Sequence, residues 1–313
     1  MEALIARYKE QEMPTRYATM VSYRSFLDKH IMPRWGETPI SSMKPMAIED
    51  WLKGLGLAPR TKGHIKGLMS TLFQCAERWG LTKDNPMKLV RVKGVSKRLK
   101  RPSALAAYEF NNLLPHIVQP YQTMVLIAGC LGLRAGEIVG LQCGDFDFDK
   151  LTLLIQRSIV HGRVGDPKTE YSKDAVPPDS VLADALLAYR AFCHQTQEEW
   201  LFANPAADKP YHQEEIQKTH IKPAGVAAGI TAMVGWKTFR HSYRSWLDQT
   251  AAPVGVQREL MRHASIQTTM NVYGRAMTDG KRQAHSNVVR MVMPAMMEGS
   301  DTARAGLKAA IVA

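Results

Sequence analysis

Residues 235–247, GWKTFRHSYRSWL, hold two overlapping pairs of equal spacing, Lys237-x-x-Arg240 and His241-x-x-Arg244. Either pair sets a proton donor one helical turn from a guanidinium, an arrangement suited to chemistry on an anion. A basic helix can equally be a solvated face, so the frame has to come from the rest of the chain. A tyrosine stands near the C-terminal end, in MRHASIQTTMNVYGRA. Attack on a phosphodiester needs a nucleophile, donors for the charged transition state and an acid for the leaving 5′-oxygen. Arginine forks stabilise the non-bridging oxygens, lysine can give the proton, and tyrosine can form a covalent phosphotyrosine that conserves the bond energy. The inventory of Arg, Lys, His and Tyr fits such a site.

Other constellations are missing. There is no G-x-G-x-x-G after a strand, no G-x-x-x-x-G-K-[ST] and no H-E-x-x-H, which argues against ATP-driven phosphate chemistry. Asp145, Asp147 and Asp149 in CGDFDFDK alternate with Phe146 and Phe148 and read as a helix-to-strand turn rather than a two-metal carboxylate site. The ten histidines do not cluster with cysteines as a zinc site requires. Cys75, Cys130, Cys143 and Cys193 are far apart and are expected to be buried free thiols of a reducing compartment.

The elements that must position these residues divide the chain unevenly. At 313 residues it has the length of one large or two medium domains, and 45% hydrophobic with 22% charged residues is ordinary globular composition. No apolar run approaches the ~18 residues that span a bilayer, and the first residues, MEALIARYKEQEM, lack the apolar stretch of a signal peptide. The net charge is +12, and residues 1–100 carry 19 Lys+Arg against 9 Asp+Glu, so nearly all of the excess sits in the first third. That asymmetry points to a nucleic-acid partner for the front of the molecule.

Within 59–79, Ile65, Leu68, Met69, Leu72, Phe73 and Ala76 recur at helical steps, with Arg60, Lys62 and Lys66 as candidate phosphate contacts on other faces. Tyr23, Phe26, Leu27 and Ile31 predict a helix that Pro33 stops, and 46–55 predicts another. Residues 1–92 are thus expected to form a helical module. The segment 93–103, with Lys97, Arg98, Lys100 and Arg101, reads as a basic linker able to lie along a phosphate backbone. Residues 104–293 form the second module, with helical patterns over 105–117, 120–141, 180–195, 212–228, 238–250, 253–262 and 281–292, and 294–313 is a tail. The strand-like LTLLIQRSIV (151–160) followed by turn-rich residues predicts a small hairpin-containing sheet among the helices. The fold class expected is mainly α with a small β-sheet.

Four stretches in order resemble the tyrosine recombinases, the phage-type integrases. LGLRAGEIVGLQCGDFDF is similar to the family's first arginine box, with Arg134 as the arginine and Glu137 as the bracing carboxylate. DPKTEYSKDAVPPD resembles the β-hairpin lysine segment, which places Lys168 in that role. GWKTFRHSYRSWL resembles the [His/Lys]-x-x-Arg-His box, and MRHASIQTTMNVYG the final box, with His263 ten residues before Tyr273. In that frame Lys237-x-x-Arg240 is the meaningful pair, His241 is an outward helix residue, and Arg244, on Arg240's side, is a DNA-backbone contact. Lys237 stands where the family most often has histidine, and Arg262 where glycine is common. An isolated Arg134/Glu137 pair would be an ordinary surface ion pair worth about 0.3–0.5 kcal/mol.

The resemblance implies a core-binding domain and a mixed α/β catalytic domain clamped on duplex core sites, in a protein of the cytoplasm and bacterial nucleoid. Tyr273 would attack, Arg134 and Arg240 hold the phosphate, and Lys168 protonate the leaving oxygen with His263 and Lys237 assisting. It implies no metal or nucleotide cofactor, a monomer that forms a homo-tetramer on DNA, strand exchange through a Holliday junction, and an accessory directionality factor as a further partner. The segment after Tyr273, including KRQAHSNVVRMVM, is expected to pack on a neighbouring protomer. The core-binding pattern starts within about 20 residues of Met1, so a preceding arm-binding module is not expected unless the chain begins late. Two alternatives remain: an attenuated DNA-binding protein of the same fold, favoured by Lys237 alone, and a type IB topoisomerase-like relaxing enzyme.

Overall fold

A computed structural model describes residues 1–95, 103–167, 174–250, 252–262 and 276–293. Lys97, Arg98, Lys100, Arg101, Lys168, His263, Tyr273 and the tail 294–313 lie outside the described residues. The chain divides into two compact units, Met1–Arg101 and Pro102–Ala313. Among the described residues no helix is long and apolar enough to cross a membrane. All four cysteines are free and buried.

The first unit is helical: α1 (Glu2–Gln11), α2 (Tyr17–Phe26), α3 (Met32–Trp35), α4 (Pro45–Gly54) and α5 (Pro59–Arg78). Pro59 opens α5 at a position that needs no N–H donor. The stripe Ile65, Leu68, Met69, Leu72, Phe73 and Ala76 is buried as its spacing predicts. The helix closes at Gly80, whose left-handed φ of +70° lets the Leu81 N–H reach back to the Ala76 carbonyl. Pro33 does not stop the preceding helical run. A π-turn over Leu27–Ile31 sends the Met32 N–H to the Leu27 carbonyl, and Pro33 then falls in the first turn of α3, where its missing N–H costs nothing. The chain running into the expected linker is seated on this unit: Arg91 N–H donates to Glu49, and the side chain of Val95, within that linker, lies over Gly63, where a Cβ would come within 2.9 Å of it.

In the second unit α6 (Ala107–Leu113), α7 (Tyr121–Leu131), α12 (Trp236–Gln249) and α14 (Ala276–Val292) pack together, with α7 at the centre. From Thr123 to Leu131 every residue of α7 is buried, so it carries no amphipathic stripe. α12 is amphipathic, and Phe239, Tyr243, Trp246 and Leu247 are wholly buried, as the sequence predicts. Each such side chain contributes about 1.5–3 kcal/mol. Trp246 Nε1 donates to the Leu105 carbonyl and Ser242 Oγ accepts from Leu105 N–H, which pins the start of this unit to α12.

The pattern over 120–141 does not form one helix. α7 ends at Gly132, in a left-handed conformation at φ +62°, and the short α8 (Ala135–Ile138) begins three residues later. Strands β1 (Phe146–Asp147), β2 (Thr152–Ile155) and β5 (Asp174–Val176) make an antiparallel sheet ordered β1-β2-β5, with Leu153 opposite both Phe146 and Val176. A separate hairpin pairs β3 (Ser158–Val160) with β4 (Arg163–Gly165), and its two turn residues, His161 and Gly162, both have positive φ. Two of the three acids of CGDFDFDK have structural partners. Asp145 accepts from Gln142 N–H, Gln156 and Arg157, and Asp147 from Lys150. The remaining helices are α9 (Ser180–Arg190), α10 (Gln213–Ile216), α11 (Lys222–Ala227) and α13 (Val254–Leu260), and β6 (Ala203–Asn204) pairs with β7 (Lys209–Pro210).

Candidate active site

Arg134 owes its place to the break after α7. Gly132 turns the chain, Leu133 is buried as a plug, and Arg134 takes the extended N-cap position of α8. Glu137 sits at the third position of that helix. Its carboxylate accepts the Arg134 backbone N–H at 2.9 Å and the Arg134 Nη1 at 2.6 Å. The pair is not the exposed one its spacing alone suggests, since Glu137 is 1% exposed and the Arg134 side chain 28%. Gly136 sits so close to β3 that a Cβ there would meet the Ile159 carbonyl at 2.6 Å. The strand that leads towards the Lys168 segment is thereby held against the helix that carries Glu137.

Glu137 has a second partner, at the position where the resembling family commonly has glycine. Arg262 Nη2 donates to Glu137 Oε2 at 2.5 Å, and its side chain is fully enclosed. Burial pushes the Glu137 carboxyl upward, but the guanidiniums of Arg262 and Arg134 and the Arg134 N–H overcome it and hold the group below the ordinary glutamate range. Arg262 adopts φ +47°, a left-handed conformation that costs a non-glycine residue about 1–2 kcal/mol. The signal that could have found it was the arginine itself, in a position where the resembling family commonly uses the residue with no such cost.

Arg240 is half-buried on the flank of α12, next to the apolar face. Its Nη1 donates to the Gly132 carbonyl and its Nη2 to the Met261 carbonyl, so the guanidinium ties the end of α7 to the end of α13. Burial, and then the nearby charges of Arg134 and Arg262, pull its pKa down to about 9 against the opposing effect of Glu137. Arg240 is still the protonated donor at neutral pH. The described site thus gathers three guanidiniums around one carboxylate, a local charge of about +2. Two of the three, Arg134 and Arg240, are partly open to solvent. Such a cluster is built for an anion with several oxygens, and a phosphodiester meets that description.

Lys237 lies exposed in the first turn of α12, whose start is fixed by Gln217 accepting from Trp236 N–H and by Trp236 Nε1 donating to the Gln213 carbonyl. His241 and Arg244 are exposed on the same side of the helix as Lys237 and Arg240. In the first unit Arg60 is exposed while Lys62 and Lys66 are half-buried one turn apart, and Lys62 Nζ donates to the Lys53 carbonyl. Arg60 falls on a different face of α5 from the two lysines. The structure therefore brings Arg134, Glu137 and Arg240 together and adds Arg262, while Lys168, His263 and Tyr273 lie outside the described residues.

Part of the segment after the tyrosine position packs within its own unit. α14 buries Val288, Val289 and Val292 in its own unit's core, and Ser286 Oγ donates to Asp179, the residue that caps α9. Val288, Val289 and Val292 of KRQAHSNVVRMVM are thus used within the chain.

Residues 104–279 match the phage integrase family. A putative prophage phiRv2 integrase of Mycobacterium tuberculosis is 26% identical over 174 residues, 53% of this chain and 46% of that protein. The match thus spans just under half the length of that relative. Tyrosine recombinase XerC 1 of Ralstonia nicotianae is 31% identical over 240 residues, 70% of each chain. Among solved structures, the integrase of transposon Tn1549 bound to transposon right-end DNA superposes with a TM-score of 0.74 at 18% identity, over 91% of this chain and 98% of that one. The last likeness is one of fold.

Proposed function

The chain belongs to the phage integrase family, and from that premise we propose that it is a site-specific DNA recombinase acting through a 3′-phosphotyrosine. The observation that carries the proposal is the net-positive cluster in which Arg134 and Arg240 face solvent around the Glu137 brace. Duplex DNA is the partner, and the basic first unit supplies the sequence-independent part of its binding.

The Tyr273 oxygen attacks the scissile phosphorus and forms a new O–P bond as its phenolic proton passes to solvent water. The 5′-oxygen leaves with a proton from Lys168, giving a free 5′-hydroxyl. Arg134 and Arg240 hold the non-bridging oxygens, where charge grows in the transition state. His263 and Lys237 assist proton movement. The 5′-hydroxyl of a partner strand then attacks the phosphotyrosine and releases Tyr273. Because the covalent bond preserves the energy of the phosphodiester, no nucleotide enters the scheme. One tyrosine cuts one strand, so exchange between two duplexes takes four cuts and a tetramer of this chain on DNA. The protein is monomeric before it meets DNA, and an accessory factor sets direction.

The test is an SDS-resistant protein–DNA adduct on nicked duplexes made from the ends of the DNA element that encodes the chain. An adduct that forms in EDTA and is absent in Tyr273→Phe is expected. DNA retarded in a native gel with no adduct would overturn the catalytic reading in favour of an attenuated binder. An adduct with supercoil relaxation but no crossover products would favour a topoisomerase-like enzyme.

A further inference from the structure

Met261 and Arg262 grip both partly exposed arginines from one place. The Met261 carbonyl accepts Arg240 Nη2, and the Arg262 guanidinium takes the Glu137 oxygen that also accepts the Arg134 N–H. We propose that Arg262 is a positioning residue that holds the Glu137 carboxylate so that this carboxylate can fix Arg134 at the phosphate. The catalytic consequence rests on the recombinase reading given above, while the coupling itself does not.

Stability alone does not account for the arginine. Its side chain is removed from water beside Arg134 and Arg240, two like charges, and its backbone sits at φ +47°, where glycine fits without strain. Its Nε and Nη1 make no hydrogen bond among the described residues, so Glu137 is the partner that its position serves. The carboxylate in turn has its two oxygens divided. Oε1 holds the Arg134 guanidinium, and Oε2 is shared by Arg134 N–H and Arg262. Removing Arg262 frees one side of the carboxylate to swing, and Arg134 swings with it.

The charged groups that act on Glu137 are Arg262 and Arg134, and it acts in turn on Arg240. The buried Tyr243 and His285 lie within electrostatic reach of Arg262. Withdrawal of the Arg262 charge from a buried carboxylate raises the pH at which it takes a proton. Arg262→Gly is the informative variant, because it relieves the left-handed backbone while deleting the guanidinium. Arg262→Lys keeps a charge without the fork and covers the case in which the glycine variant fails to fold.

The measurement is the titration of the Glu137 carboxyl carbon by NMR in the full chain, assigned with Glu137→Gln and run beside adduct formation as a function of pH. The expected result is a Glu137 titration at higher pH in Arg262→Gly and an intermediate one in Arg262→Lys. In parallel, adduct formation should be slowed roughly 10²-fold, with its acid limb displaced the same way and DNA retardation unchanged. An identical Glu137 titration in wild type and both variants would overturn the proposal, as would full-rate adduct formation by Arg262→Gly. If the wild-type chain forms no adduct, the recombinase reading falls, and the titration still decides whether Arg262 governs Glu137.

Discussion

The Arg240 guanidinium donates to the carbonyl of Gly132, 108 residues earlier, and the same Gly132 lies against the ring of Tyr243 one turn further along α12. A Cβ on residue 132 would stand 2.3 Å from Tyr243 Cδ1, and Tyr243 is wholly buried. Gly132 also holds φ +62°, so a side chain is opposed twice over. Gly132→Ala should therefore cost about 2–4 kcal/mol of stability, read as a lower urea midpoint. Gly229→Ala is the control, since Gly229 has φ +69° with nothing within 4 Å of an added Cβ. It should lose only about 1 kcal/mol. Equal losses in the two variants would mean that the Tyr243 contact is not tight in solution.

Arg240 shows why charge alone does not make the site. Its two amino groups are already aimed at carbonyls on separate elements, which fixes the plane of the guanidinium before any phosphate arrives. Lysine retains the charge but cannot reach Gly132 and Met261 together. Arg240→Lys should form adduct about 10²–10³-fold more slowly, with DNA retardation close to wild type. A loss of less than about tenfold would argue that Arg240 only neutralises charge.

The parts of this arrangement that the sequence reveals are those with a local signature. The stripe on α5 and the apolar face of α12 follow a 3.6-residue period because one side of each helix meets water. α7 is buried on all sides, so it has no period, and its end at Gly132 is invisible to a pattern that runs on through Val139 and Leu141. Yet that break is what sets Arg134 on a helix N-cap. Pro33 misleads in the opposite direction, because a π-turn upstream absorbs its missing donor. Arg134, Glu137 and Arg240 are legible through resemblance to a family. Arg262 is not, because its meaning depends on a carboxylate 125 residues away.

Lys237 tests whether this position takes part in proton transfer. It is exposed at the start of a helix that is otherwise firmly anchored, so substitution should leave the fold intact. A histidine, with an ordinary pKa near 6.5, would lose its charge over the pH range in which DNA is handled. Lys237→His should form adduct at a rate within about tenfold of wild type at pH 6 and fall away by pH 8, a limb that the wild-type profile lacks. Lys237→Ala should be slower than either at every pH. Parallel profiles for Lys and His would remove residue 237 from the proton-transfer scheme.

His285 makes the second unit sensitive to acid. Its ring is wholly buried on α14, with Nδ1 bonded to the Pro177 carbonyl and Nε2 without a hydrogen-bond partner among the described residues. Burial lowers its pKa from 6.5 to about 4; the Pro177 bond and Asp179 oppose that fall, while Arg262 and Lys281 reinforce it. The unfolded chain takes up the proton below about pH 6.5 and the folded chain only below about pH 4, so between these values the unfolded state binds more protons. Stability is therefore full above pH 6.5 and declines as the pH falls, by about 2 kcal/mol at pH 5. Asparagine keeps a donor for the Pro177 carbonyl and has no proton to gain. His285→Asn should be less stable than wild type at pH 7.5, since it packs less of the core, but should lose less on going to pH 5. Urea unfolding of both proteins at the two pH values measures the difference, and equal acid losses would mean that the ring is not kept neutral by burial. Because α14 follows the segment that bears Tyr273, the same acid step should also lower adduct formation in wild type more than in His285→Asn.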